Sequence, residues 1–348
     1  MQLANTALMT RPTTGVELMA ETKMNAIVQD EYGSADVLRL EQTDRPVAGD
    51  NEVLVRVHAA GVDRGVWHVV TGLPYLIRIA GFGLRAPKTR IPGMDLAGVV
   101  EAVGKNVTRF KPGDEVFGTS IGAGAFAEYA SIGEDKLALK PSNLSFEQAA
   151  ALPVSALAAL KGVRDVAKVQ PGQKVLVIGA SGGVGSFAVQ IAKSYGAEVT
   201  GVASTRNIEG VLAIGADHVI DYTREEITDG GRKYDVILDI AGNRSLSQLR
   251  RALTPKGMLV IVGGENGGRW IGGVDRQLRA MMLSPFVSQK LTTFVSMENP
   301  EDLQHVKELA EAGTITAVVS KTFPLSQVPD AIRYLEQGHP GGKIVITM

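Results

Sequence analysis

Within the stretch AAGVDRGVWHVVTG, residues 59–72, a carboxylate, a guanidinium and an imidazole (Asp63, Arg64 and His68) fall within six positions. Such a set can hold a metal ion, pass a proton or close a turn. Asp and His are ligands for a divalent cation, His changes charge near neutrality, and an Asp ahead of a helix accepts from its first amides. The segment alone leaves all three readings open. Tyr75, three residues past Gly72, adds a phenol to the group.

A second stretch narrows the chemistry. VLVIGASGGVGSFAVQIAK, residues 175–193, reads as a buried strand, a glycine-rich turn and a helix beginning near Gly183. Glycines there let the backbone approach a pyrophosphate, which then lies on the positive end of the helix. The pattern G-x-G-x-x-G is met with Ala180 in the first place and Gly182 and Gly185 in the others, and Ser181, Gly183 and Val184 complete the cradle. A tight structural turn could use the same glycines. The strand before it, the helix after it and the βα repeats beyond favour a dinucleotide. The next strand, EVTGVAS, lacks the closing acid that would bind an NAD ribose and ends instead in Ser204-Thr205-Arg206. A hydroxyl and a guanidinium suit a 2′-phosphate, so the expected cofactor is NADP(H). The plainer alternative is Arg206 as a solvated residue at a helix start.

Elements that could position these groups follow from the pattern of the chain. At 348 residues it is too long for one ordinary core and suggests two domains. A 45% apolar content with 40 glycines suits an α/β protein. The net charge of −1 offers no footprint for nucleic acid or an anionic membrane, and the lack of cysteine excludes disulfides and thiolate metal sites. Residues 1–23 lack the apolar core of a signal peptide and are expected to form a disordered tail, with the cytoplasm as the default compartment. Short strands follow at 24–28, 53–57, 97–103 and 115–117, as in an irregular barrel. After Pro141 an Ala-rich helix runs from Ser145 to about Val163. Apolar strands then alternate with helices (174–178, 198–202, 219–220, 236–238, 258–262 and 291–295), specifying a doubly wound parallel sheet. A helix near 301–312 and a strand at 343–347 close the chain.

The motifs GASGGVG, GADHVIDY (215–222), PGMDLAGVVEAVG (92–104) and GAFAEYA (124–130) resemble the medium-chain dehydrogenase/reductase superfamily. Its zinc-free, quinone-oxidoreductase-like branch, related to zeta-crystallin, is the most similar. The resemblance runs from about Met24 to the C-terminus. It implies a GroES-like catalytic domain at 24–143 and 298–348, split around a Rossmann domain at 144–297, with the active site between them. It also implies cofactor contacts from Tyr222 near the 2′-phosphate, Arg64 and Lys343 at the pyrophosphate, and Val262-Gly263-Gly264 with the backbone of Phe294-Val295 at the nicotinamide carboxamide. Ala158 departs from a threonine that many relatives place facing that ring.

The same resemblance addresses the metal question. Zinc-dependent relatives place a cysteine where Asp63 stands and a Gly-His-Glu triplet where Gly93-Met94-Asp95 stands. A thioether is a poor zinc ligand beside imidazole, thiolate or carboxylate, so no metal is expected. Proton work then falls to His68, which matches a relay histidine, to Tyr75 or to Asp63, with bound water as rival. Gly65 interrupts the relay, His68 could be an ordinary surface or core histidine, and Asp63 could simply cap a helix. Trp67 and the apolar stretch Tyr75–Arg90 are expected to roof a hydrophobic substrate cleft. The leading expectation is NADPH-dependent, zinc-independent reduction of quinones or other α,β-unsaturated carbonyls. A reductase of simple aldehydes or ketones, or a non-catalytic NADPH-binding protein, are the alternatives. The strand LTTFVSM, 291–297, as the edge of the sheet, suggests a homodimer.

Overall fold

The computed structural model describes residues 22–348 apart from 243, 265–267, 297 and 339–340. The tail expected at 1–23 therefore lies outside the described residues except for Thr22 and Lys23. Two sheets divide the described chain. The first contains β3 (Glu52–Val62), β4 (Asp95–Val103), β5 (Glu115–Thr119), β6 (Tyr129–Gly133), β7 (Leu137–Leu139), β14 (Val319–Pro324) and β15 (Lys343–Thr347), in the order β14-β15-β3-β4-β5-β7, with β6 also on β3. A ribbon of β1 (Lys23–Val28) and β2 (Arg39–Asp44) lies beside it. The second sheet contains β8 (Lys174–Ile178), β9 (Glu198–Ala203), β10 (His218–Asp221), β11 (Tyr234–Asp239), β12 (Leu253–Ile261) and β13 (Lys290–Thr293). Its strands are all parallel, in the order β10-β9-β8-β11-β12-β13.

Period-two alternation explains how this sheet is covered on both faces. Val175, Val177, Val236 and Leu238 enter one core with Phe187 and Ile191 of the helix Gly183–Ser194, while Leu176, Ile178, Ile237 and Leu259 enter another. The first sheet closes over a core of its own that includes Val55, Leu96, Phe126, Ile132 and Ile346. The reversal of strand order between β9-β8 and β11 leaves a crevice at the carboxyl ends of the parallel strands, the place where such folds bind nucleotides.

Register in the first sheet gathers distant residues. β15 pairs antiparallel with β3 so that Ile344 faces Val62, and β4 pairs antiparallel with β3 on its other side so that Leu96 faces Ala60. The end of β3, the start of β15 and the start of β4 therefore meet at Asp63, Lys343 and Asp95. Gly61 makes room for this: a Cβ there would lie 2.9 Å from Asp95 Cβ and 2.6 Å from the Ala150 carbonyl.

Several elements differ from the sequence pattern. The Ala-rich stretch breaks into helices Phe146–Ala150 and Pro153–Leu160, because Pro153 has no amide to continue the first and is suited to open the second. The edge strand β13 ends at Thr293, short of the expected LTTFVSM, and Met297 lies outside the described residues. After it, the helix Pro300–Glu311 still buries Leu303, Val306 and Ala310 in the core of the parallel sheet. The chain rejoins the first sheet only at β14. No helix among the described residues is long and apolar enough to cross a membrane.

Candidate active site

Four residues, Gly179 to Gly182, join β8 to its helix, and the packing around them admits little but glycine at the critical places. Gly179 turns at φ 87°, Gly182 is the N-cap, and the helix begins at Gly183. A Cβ on Gly185 would lie 2.0 Å from the Gly179 carbonyl oxygen, so the helix rests directly on the strand end. This is the close contact that the third glycine of a dinucleotide motif permits. The Gly183 Cα faces Lys343 and Ser155: a Cβ there would lie 2.9 Å from Lys343 Cδ and 3.1 Å from Ser155 Oγ. The cradle fits a pyrophosphate, with its amide donors at a helix N-terminus.

At the end of β9, Asn207 ties the corner together. Its amide donates to Ser181 Oγ at 3.1 Å and to Ser204 Oγ at 3.3 Å, tying the glycine turn to the next strand. Arg206 is exposed beside it, and Tyr222, after β10, is partly exposed. An acid does stand nearby, but it is turned to other work. Asp221 accepts from Thr205 Oγ1 at 2.6 Å and from Thr223 Oγ1 at 2.7 Å, and the Thr205 bond holds its carboxyl below the usual range. Its charge is consumed locally rather than presented to a 2′-phosphate.

On the catalytic side, Asp63 caps the helix Arg64–Thr71, its Oδ1 accepting from the Val66 amide at 3.1 Å. Its Oδ2 faces the Lys343 ammonium at 3.5 Å, and Asp95 Oδ2 faces the same ammonium at 3.4 Å. Lys343 and Asp95 are buried, and Asp95 also accepts from the Val154 amide at 3.2 Å. Burial pushes the Asp95 carboxyl up to about 7, against the pull of Lys343. Met94 belongs to the same corner, since a Cβ on Gly65 would lie 3.3 Å from its sulfur. These are the positions at which the zinc-dependent relatives hold their metal. Here a side-chain ammonium stands between the two carboxylates, and a thioether replaces the imidazole. Among the described residues no three His, Cys, Asp or Glu side chains gather closely enough to hold an ion. The donor set does not fit zinc.

His68 sits in the last turn of the Asp63-capped helix and its Nδ1 donates to the Leu73 carbonyl at 2.5 Å. Because a carbonyl can only accept, that bond leaves Nε2 as the atom available for proton exchange. Tyr75 stands at the seam of the two sheets' domains. Its ring meets Trp270 edge-on at 5.3 Å, and its amide donates to the Arg269 carbonyl at 2.8 Å. Arg78 anchors the segment from below, donating to Gly72 O at 2.8 Å and lying over the Tyr32 and Tyr75 rings.

Not every expected site residue joins this group. Trp67 points away from the roof, its indole donating to Glu336 at 2.8 Å, and Arg64 donates to the Leu335 carbonyl at 3.2 Å. Val262 and Phe294 pack onto the helix side at Gly162, and Val295 is 85% exposed. Gly263 lies against the Ile240 carbonyl, which a Cβ would approach to 2.3 Å, and Gly264 packs on Gly273. Lys343 buries its ammonium beneath the glycine turn with Asp63 and Asp95. The sequence pattern missed Asn207, whose only signal is its place three residues after Ser204. It also missed the pair of Arg276 with the buried Asp239, which secures the strand end whose carbonyl accepts from the Val262 amide.

Comparison with known proteins places the chain in a family. Residues 49–142 match the alcohol dehydrogenase GroES-like domain, and residues 214–346 match the zinc-binding dehydrogenase family. The chain is 35% identical over 338 residues to an NADPH-dependent alkenal/one oxidoreductase, chloroplastic, of Arabidopsis thaliana, covering 93% of this chain and 79% of that one. It is 33% identical over 347 residues to a 2-methylene-furan-3-one reductase of Solanum lycopersicum, covering 96% and 81%. The solved structure of a quinone oxidoreductase from Coxiella burnetii superposes with a TM-score of 0.81 at 28% identity, covering 94% of this chain and 99% of that one.

Proposed function

Since the chain belongs to the medium-chain dehydrogenase/reductase superfamily, in its quinone-oxidoreductase-like branch, we propose that it reduces quinones or other α,β-unsaturated carbonyls without zinc. It is an oxidoreductase, and NADP(H) is its cofactor. When bound, that cofactor supplies a hydride to an electron-poor carbon. The glycine turn would hold its pyrophosphate, and Ser204, Arg206 and Tyr222 would hold its 2′-phosphate.

The observation that carries the reading is the Lys343 ammonium between Asp63 and Asp95. With that position taken and no zinc ligand set among the described residues, no metal electrophile stands ready for an unactivated ketone, and the acceptor is expected to arrive activated. A quinone or enone meets that need, because negative charge from hydride addition spreads onto its own oxygen. His68 and Tyr75 then deliver the proton, and Asp63 serves as cap and anchor for Lys343 rather than as donor. The segment around Tyr75 would shield and orient an apolar substrate. The test is NADPH oxidation with quinones, 2-enones, simple ketones and aldehydes, with and without chelator. Turnover of the first two, insensitive to chelation, is expected. Activity that chelation abolishes and zinc restores would overturn the proposal.

Two residue-level expectations follow here. Arg206→Ala weakens NADPH binding by about 5- to 150-fold, the equivalent of 1–3 kcal/mol for charged hydrogen bonds. NADH binding stays as it was, and fluorescence titration of both cofactors checks this. Equal affinity of the wild type for both would sink the assignment. The double variant His68→Ala, Tyr75→Phe lowers kcat by roughly 10²–10⁴-fold, the usual contribution of a positioned acid. Undiminished turnover would give the proton to water.

A homodimer belongs to the same proposal. β13 ends the parallel sheet with one side unpaired, and Phe286 and Met282 beside it are 84% and 73% exposed. A twofold mate would pair the strand and cover those side chains. Light scattering should return the mass of two chains; one chain at micromolar concentration counts against it.

A further inference from the structure

The outer face of the cleft roof is apolar and carries charge of one sign. Between Leu73 and Met94 the chain has Arg78, Arg85, Lys88 and Arg90 and no carboxylate, and the facing loop Gly268–Gly273 adds Arg269. The two segments form one surface, since the amides of Tyr75 and Leu76 donate to the carbonyls of Arg269 and Trp270 at 2.8 and 3.0 Å. On it Ile79, Leu84 and Trp270 are 73%, 72% and 76% exposed, with Leu76 and Ile271 also open to solvent. Two of the cations are spent internally, Arg78 on the carbonyls of Thr71 and Gly72 and Arg90 on Asp30 and Glu41. Arg85, Lys88 and Arg269 are exposed and have no carboxylate at ion-pair distance among the described residues.

We propose that this face docks on the surface of anionic lipid bilayers. Scattered exposed aliphatics need no explanation, but aliphatics and a tryptophan set among such cations form the composition of an interfacial segment. Tryptophan resides at the headgroup level, aliphatic side chains reach the acyl boundary, and cations meet lipid phosphates and carboxylates. The backbone favours a bilayer over a protein partner. A short turn of helix, Tyr75–Ile77, runs into a single π-helical turn, Arg78–Phe82, that is broken at Gly81 (φ 122°) and followed by Gly83 at φ 113°. That offers no strand edge to extend and no regular helix face to pack, whereas a lipid surface requires neither. The near-zero charge of the whole chain hides this local excess. Docking here would set the mouth of the cleft against the phase in which lipophilic carbonyls dissolve, yet the inference stands on the surface alone and not on the proposed chemistry.

Flotation of the full chain with vesicles tests it, comparing phosphatidylcholine alone with an equal mixture of phosphatidylcholine and phosphatidylserine. Binding to the anionic vesicles should be about tenfold tighter or more and should weaken with salt. The variants Ile79→Ser, Leu84→Ser and Arg85→Glu, Lys88→Glu should each lose that binding about tenfold, while their NADPH affinity, a check of folding, stays at the wild-type value. Equal partition onto both vesicles, or wild-type binding by the charge-reversed variant, overturns the proposal. So does lipid-free self-association that the Ser variant abolishes, which would assign the face to a second copy of the chain.

Discussion

Lys343→Met should unfold far more easily than the wild type, by about 3–5 kcal/mol, the usual cost of removing one partner from a buried ion pair. The substitution removes the cation that faces both Asp63 and Asp95 and leaves two carboxylates close together in a buried corner. The loss should grow with pH. Burial raises the Asp95 carboxyl from 3.8 to about 7, so the folded chain holds that proton more tightly than the unfolded chain does. Stability from this group is therefore present in acid and is lost as pH rises from about 4 through about 7. Asp95→Asn removes the titration. The stability difference between this variant and the wild type should shift in favour of Asn by about 2–3 kcal/mol between pH 5 and pH 8, at 1.36 kcal/mol per unit. The double variant Lys343→Met, Asp95→Asn should recover part of the first loss. Denaturant unfolding at the two pH values reads all of these. A double variant no more stable than Lys343→Met would show that the three charges do not act as a unit.

The second large effect is expected at the glycine turn. Gly185→Ala places a methyl 2.0 Å from the Gly179 carbonyl oxygen, a backbone atom that cannot rotate away. The helix must lift from the strand end, at a cost of about 1–3 kcal/mol or more in stability. NADPH binding should fall by roughly 30-fold or more, since about 2 kcal/mol of misplaced cradle is that much in affinity. Gly182→Ala separates the two contributions. Its added carbon would meet only the Gly179 oxygen, at 3.4 Å, an ordinary contact, and its backbone is extended. That variant should keep its melting midpoint and lose affinity alone, because the methyl stands where the pyrophosphate approaches. Calorimetric melting and NADPH titration on both variants provide the check. A Gly185→Ala protein that melts and binds as the wild type does would refute the packing argument.

Those two sites mark the boundary between what was legible along the chain and what was not. The glycine turn could be read because its chemistry is contiguous: strand, turn and helix lie within twenty residues, and the spacing of Gly182 and Gly185 is itself the constraint. The missing acid after β9 was legible for the same reason, as was the loss of zinc ligands at Asp63 and Met94 once the family pattern was recognised. The parallel sheet followed from alternating apolar strands and helices, with β12 beginning earlier, at Leu253, and β13 ending earlier, at Thr293, than the pattern suggested. Single-residue types sufficed for each of these.

Pairing register decided the rest. Asp63, Asp95 and Lys343 are separated by 32 and 248 positions and touch only because β3 lies between β4 and β15 in one antiparallel register, with Gly61 leaving space for the Asp95 side chain. No local pattern announces such a meeting. Taken singly, each residue suited a different role, Asp63 as a helix cap, Asp95 at a metal position and Lys343 as a pyrophosphate contact. Asn207 and the Tyr75–Trp270 seam are of the same kind, since each joins two segments that are remote or unpatterned in the chain. The sequence by itself determined the fold class and the glycine turn between β8 and its helix, because those depend on residue type at fixed local spacing. Only the tertiary structure decided that Lys343 sits between Asp63 and Asp95, because that depends on which strands pair and in what register.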